Sequence, residues 1–302
     1  MNRFLQIVLF FLTGLLVLLP TNSFSKHPLN IFVSILPQKY FVERIAGKNA
    51  VVEVLVKPGK SPAIYSPSPD QIKKLVSSDI YFRIGVPFEN GFLHKVKSIA
   101  DSILVIDTRK GITLREMRAF GHAGNEIKEN HNLKGNNDNI GKDPHIWMSP
   151  VMVKIQAQTI FETLISIEPE NKNYYEKNYH LFIKDLDQLN ETLASALKNL
   201  KGENIFVFHP AFGYFTDAYG LKQVAVEIMG KAPKGKQLSA IIKLAKKEKT
   251  RILFVQPQFD QHAAQKIASA IKGTVVSIDP LAYDYLSNME KTANIISKQL
   301  KR

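Results

Sequence analysis

From Ile31 onward, short apolar runs alternate with segments of helical periodicity. Ile31–Leu36 reads as a strand stopped by Pro37, and Gln38–Ile45 as a helix ending near Gly47. Ala50–Val56 alternates β-branched residues and stops at Pro58-Gly59. Ser68-Pro69-Asp70 opens a second helix through Leu75. Ile80–Ile84 is a third strand, Gly91–Ala100 a third helix and Ser102–Ile106 a fourth strand. The rhythm returns after residue 200. Asn204–Phe208, Gln223–Ile228, Arg251–Val255 and Thr274–Ile278 read as strands, with helices near 211–219, 236–248, 260–271 and 284–301. Strands spaced by helices call for parallel pairing. The chain is therefore expected to be α/β, with two lobes, each a four-stranded parallel sheet flanked by helices.

Between the halves lies the strongest helical signal. Ser149-Pro150 supplies an N-cap and first-turn pair for a helix to about Ile165. Pro169 then opens a longer one, with Tyr175, Tyr179, Phe182, Leu186, Leu189, Leu193, Leu197 and Leu200 on one stripe. From 171 to 200 such a helix would run roughly 45 Å. That length suits a rigid linker buried against both lobes better than a coiled coil. The expected organisation is a signal peptide over 1–25, an N-terminal lobe over 26–170, the linker over 171–200 and a C-terminal lobe over 201–302. Residues 108–142, rich in Asn, Gly and Lys, read as a flexible surface loop.

The first 25 residues carry a short basic start, an apolar Phe4–Leu19, the breaker Pro20 and the small residues of Ser23-Phe24-Ser25. This is the pattern of a secretory signal peptide. The chain has no cysteine, so neither disulfides nor a cysteine-borne lipid anchor is expected, and a free periplasmic protein fits. The net charge of +13 raises nucleic acid as a partner, but the lysines are scattered and no basic helix or aromatic-interleaved patch appears.

Three strings carry the candidate chemistry: Asp143-Pro144-His145-Ile146-Trp147, Phe208-His209-Pro210-Ala211-Phe212 and Ile278-Asp279-Pro280-Leu281. His209 and Asp279 each follow a predicted strand, where open parallel sheets bind ligands. His145 enters the first long helix from the other half, so a metal between lobes would be held from both sides. Two imidazoles and a carboxylate suit a borderline divalent ion such as Zn²⁺. Asp143 and Trp147 are placed to orient His145. His94, His180 and His262 fall on predicted helices, His27 near the start, and His122 and His131 on the loop. The same donor set would also describe a zinc-dependent hydrolase, but there is no His-Glu-x-x-His helix, glycine-rich phosphate loop or nucleophile elbow. A binding protein, not an enzyme, is expected; a metal chaperone or adhesin on the same scaffold is a further reading.

These strings, with Ser34-Ile35-Leu36-Pro37, Val54-Leu55-Val56 before Pro58-Gly59, Tyr65 with Pro67 and Pro69, and Phe212 with Tyr214, resemble the zinc- and manganese-binding (cluster A-I) family of ABC-transporter solute-binding proteins. The resemblance covers nearly all of the chain after residue 25. It implies two α/β lobes on a rigid helix, a monomer, and capture of metal for an ABC permease in the inner membrane. His145, His209 and Asp279 match metal-ligand positions, and the second histidine resembles the zinc members more than the manganese members. Three positions depart from the pattern. Ser61-Pro62-Ala63 stands where Ser-Pro-His is usual, and Gln256 where many relatives have glutamate. Arg83 adds a cation near a strand end. Loss of the first histidine implies either an open three-ligand site or a cargo that brings its own donor, a metal–chelate or metal–anion complex. Arg83 would pair with Asp279, with such an anion, or with Glu89 at the rim.

Overall fold

The computed structural model describes residues 27–99, 103–117, 141–227 and 233–300. The expected signal peptide, His122 and His131 lie outside these residues, as does most of the 108–142 loop.

The first sheet joins β1 (Leu29–Val33), β2 (Ala50–Val54), β3 (Ile80–Arg83) and β4 (Leu104–Asp107) in the order β2-β1-β3-β4, all parallel. Helices α1 (Leu36–Ala46), α2 (Pro69–Val76) and α3 (Phe88–Ile99) make its crossovers. β1 closes earlier than its apolar run. Pro37 sits in the first turn of α1, where its missing N–H costs nothing, and Gln38 Oε1 accepts the Ser34 N–H at 3.1 Å. Ser68 caps α2 in a reciprocal box with Gln71.

The second sheet repeats the plan. β5 (Asn204–Val207), β6 (Lys222–Ala225), β7 (Ile252–Val255) and β8 (Thr274–Ser277) run parallel in the order β6-β5-β7-β8. Ile205 and Val207 face the large core shared with the first half. Phe206 and Phe208 face a separate cluster with Ile241 and Ile267. That alternation is what a parallel strand covered on both faces requires.

α4 (Pro150–Ile167) and α5 (Lys172–Leu197) form the expected spine, with single turns of 3₁₀ helix at both ends of α5. At the usual rise α5 spans about 39 Å. Tyr175, Phe182, Leu186, Leu189, Leu193 and Leu197 are buried, and Tyr179, only half-buried, stacks on Phe161 at 4.7 Å. α5 packs on α1 and α4 of the first half and on α6 (Gly213–Tyr219) and α7 (Tyr285–Leu300) of the second. The stripe is thus spent on both lobes, not on a partner helix. The halves are also stitched directly: Tyr283 Oη donates to Glu43 at 2.7 Å, and Tyr285 meets Phe41 edge-on at 5.0 Å.

Candidate metal centre between the lobes

In both sheets the strand order reverses between the first and third strands, and that switch point opens a crevice beyond their carboxyl ends. In the second sheet the switch lies between β5 and β7. His209 leaves β5 there, and Gln256, Gln258 and Phe259 leave β7. Gln256, fully buried, clamps the His209 backbone: its Oε1 accepts the His209 N–H at 3.1 Å and its Nε2 donates to the His209 carbonyl at 3.0 Å. Glutamine can do both, whereas glutamate could only accept. Phe259 stacks on the His209 ring at 4.6 Å.

His145 arrives from the opposite side, just before a turn of 3₁₀ helix over Ile146–Met148. Trp147 Nε1 donates to the Pro280 carbonyl at 2.7 Å, tying that turn to the second lobe. Tyr214 on α6 accepts the Arg115 N–H and donates to the Asp143 carbonyl at 2.9 Å. Burial pushes its phenol up to about 12, so it stays a donor. A Cβ at Gly213 would overlap the Arg115 guanidinium and crowd the Asp143 carboxylate, so glycine lets these two side chains close over the start of α6.

The two imidazoles meet across the crevice with Nε2 to Nε2 at 3.3 Å. Each is held from behind by a buried carboxylate. His145 Nδ1 lies 2.7 Å from Asp143 Oδ1, and His209 Nδ1 lies 2.6 Å from Glu227 Oε1. Asp143 is 1% exposed and Glu227 3%, so neither carboxylate is relieved by solvent. Burial, the largest influence, holds His209 below the ordinary imidazole value; Glu227 opposes this and His145 reinforces it. A neutral His209 whose Nδ1–H donates to Glu227 has its Nε2 lone pair directed at His145. If His145 donates to Asp143 in the same way, two lone pairs face one another at 3.3 Å, which is unfavourable unless a cation lies between them. Two nitrogens each about 2.0–2.1 Å from a tetrahedral zinc ion stand roughly 3.3–3.4 Å apart.

Asp279 stands in this arrangement beside the histidine pair rather than against it. Among the described residues no group of three or more His, Cys, Asp or Glu side chains is gathered to hold a metal. Asp279 Oδ1 is taken by Gln258 Nε2 at 2.8 Å and the Leu281 N–H at 2.9 Å. Asp279 faces an adjoining crevice of about 220 Å³ beside Lys57 and Lys60, and Gln258 borders both spaces. Arg83 approaches neither Asp279 nor the cavity: its guanidinium pairs with Glu89 at 3.0 Å and Asp107 at 3.1 Å, the rim alternative. Ala63 does line the cavity of the two histidines, so the position of the missing histidine faces the right space. Of the histidines set aside, His27, His180 and His262 are exposed. Sequence reasoning missed Glu227 altogether. Only its place just past β6, the neighbour of β5, marks it, and no motif surrounds it.

A two-lobed α/β chain with paired switch-point crevices and an interlobe histidine pair has the build of a solute-binding protein. Residues 31–299 match the family model described as zinc-uptake complex component A, periplasmic, and the chain belongs to that family. It is 26% identical to the high-affinity zinc uptake system protein ZnuA of Yersinia pestis, over 93% of this chain and 92% of that one. A crystal structure of ZnuA matches with a TM-score of 0.80 at 34% identity, covering 90% of this chain and 99% of that one. A zinc-bound deletion mutant of ZnuA matches at 0.81 with the same identity, over 91% and 99%. The family consists of solute-binding transport proteins and not enzymes, in line with the expectation of binding without turnover.

Proposed function

We propose that this protein captures zinc outside the inner membrane and hands it to the permease of an ABC importer. One observation carries the proposal: two imidazoles from opposite lobes face one another through Nε2 at tetrahedral zinc spacing, each backed by a buried carboxylate. Zinc is the cargo, and neutral imidazole favours it over the harder Mn²⁺. Asp143 and Glu227 place two negative charges behind the donors, which a dication offsets; each also fixes ring orientation and raises basicity. Asp279 is the third residue of the site, on the side where Gln258 separates it from the histidines. The cavity of about 80 Å³ has room for an ion with a water or two, each needing about 30 Å³. Absence of cysteine supports a free rather than lipid-anchored protein. Calorimetry on metal-stripped protein tests the proposal: one zinc per chain is expected, and His209→Ala abolishes uptake. Unchanged affinity in that variant would sink the assignment.

A further inference from the structure

Among the described residues lining the histidine cavity, Gln258 brings from the switch point a polar end that no hydrogen bond accounts for. Its Nε2 donates to Asp279 Oδ1 at 2.8 Å. Its Oε1 is buried and has no hydrogen-bond partner among the described residues. The assignment of the two amide ends is set by chemistry. A carboxylate only accepts, so the NH₂ must face Asp279 and the carbonyl oxygen must face away. Asp279 is itself pinned by the Leu281 N–H at 2.9 Å and cannot swing freely. The next residue, Phe259, lies flat on the His209 ring at 4.6 Å, which sets Gln258 beside that imidazole. A buried carbonyl oxygen without a partner is costly and calls for an explanation.

Resting on the zinc-capture reading above, we propose that Gln258 is a direct cargo ligand through Oε1, and that Asp279 is the positioning residue that aims it. The donor set becomes two imidazole nitrogens and one amide oxygen, which would leave a fourth position for water in the cavity that Ala63 also lines. Asp279 then acts one bond further out, orienting a ligand as Asp143 and Glu227 orient the histidines.

The test compares Gln258→Leu with Asp279→Asn by competitive zinc titration, with His209→Ala as reference. Asparagine keeps an oxygen that accepts from both Gln258 and Leu281, so it preserves the aim and removes only the charge. Gln258→Leu is expected to weaken zinc binding about tenfold or more at unchanged stoichiometry, and Asp279→Asn less than Gln258→Leu. The ¹⁵N-labelled side-chain amide signal that vanishes in Gln258→Leu is expected to shift on adding zinc to the wild type, a readout that a purely structural glutamine would not give. A loss under fivefold in Gln258→Leu, a larger loss in Asp279→Asn, or an amide signal indifferent to zinc overturns the inference. Thermal unfolding of the metal-free variants separates misfolding from ligand loss. Failure of the wild type to bind zinc, or full binding by His209→Ala, instead defeats the zinc-capture reading itself.

Discussion

Replacing Glu227 by leucine removes the acceptor that fixes the His209 ring and leaves its Nδ1–H buried without a partner. Glu227 Oε1 lies 2.6 Å from Nδ1, and the carboxylate is buried at 3% exposure, so little solvent reaches this contact. Two effects follow, loss of the negative charge behind the donor and loss of ring orientation. Removing such a partner typically costs 10–100-fold in metal affinity, or about 1.4–2.7 kcal/mol. Glu227→Gln separates the two: its Oε1 still accepts from Nδ1, so orientation survives and only the charge is lost. Leucine is expected near the hundredfold end and glutamine near tenfold. Competition against a chromogenic zinc chelator at pH 7.5 resolves both. Equal losses would show that charge alone matters, and an unchanged leucine variant would refute the claim that Nε2 of His209 is aimed through Glu227.

Ala63→His restores a third imidazole facing the cavity, and zinc affinity in the same competition assay is expected to rise at least tenfold; a fall would mean that position 63 does not reach the ion. Zinc binding is expected to be flat above the ordinary imidazole value of 6.5, where His209 is neutral, and to weaken as protons compete in more acid solution, measured by titration across pH. The same depressed value means that the unfolded chain binds the extra proton first. The metal-free fold is therefore fully stabilised by this group above pH 6.5 and loses that contribution as pH falls through the folded value. Thermal melts of wild type and His209→Gln should diverge only at the acid end. Phe182→Ala opens a cavity where α5 meets Phe41 and Tyr40 of the first lobe, and chemical denaturation should show a loss of about 3–5 kcal/mol.

Much of the fold follows from local pattern. The eight strands, their helices and the long spine are written as runs of period 2 or 3.6, and strands alternating with helices leave only parallel pairing. Where ends differ, as at Pro37, a residue that halts a strand by losing its N–H also starts a helix for the same reason. The two histidines were legible because each sits against a proline or tryptophan at an element end. What the sequence could not reveal is which polar groups stand behind and between them. Glu227 reaches His209 only because β5 and β6 are neighbours. Gln258 stands between Asp279 and the imidazoles only because β7 lies between β5 and β8. Arg83 is satisfied by Glu89 and Asp107 because helix and strand ends converge beneath it. Periodicity is a property of the chain within one turn or one pleat. Hydrogen-bond partners at the candidate metal centre are chosen by distances across sheets and lobes, which only the packed structure sets.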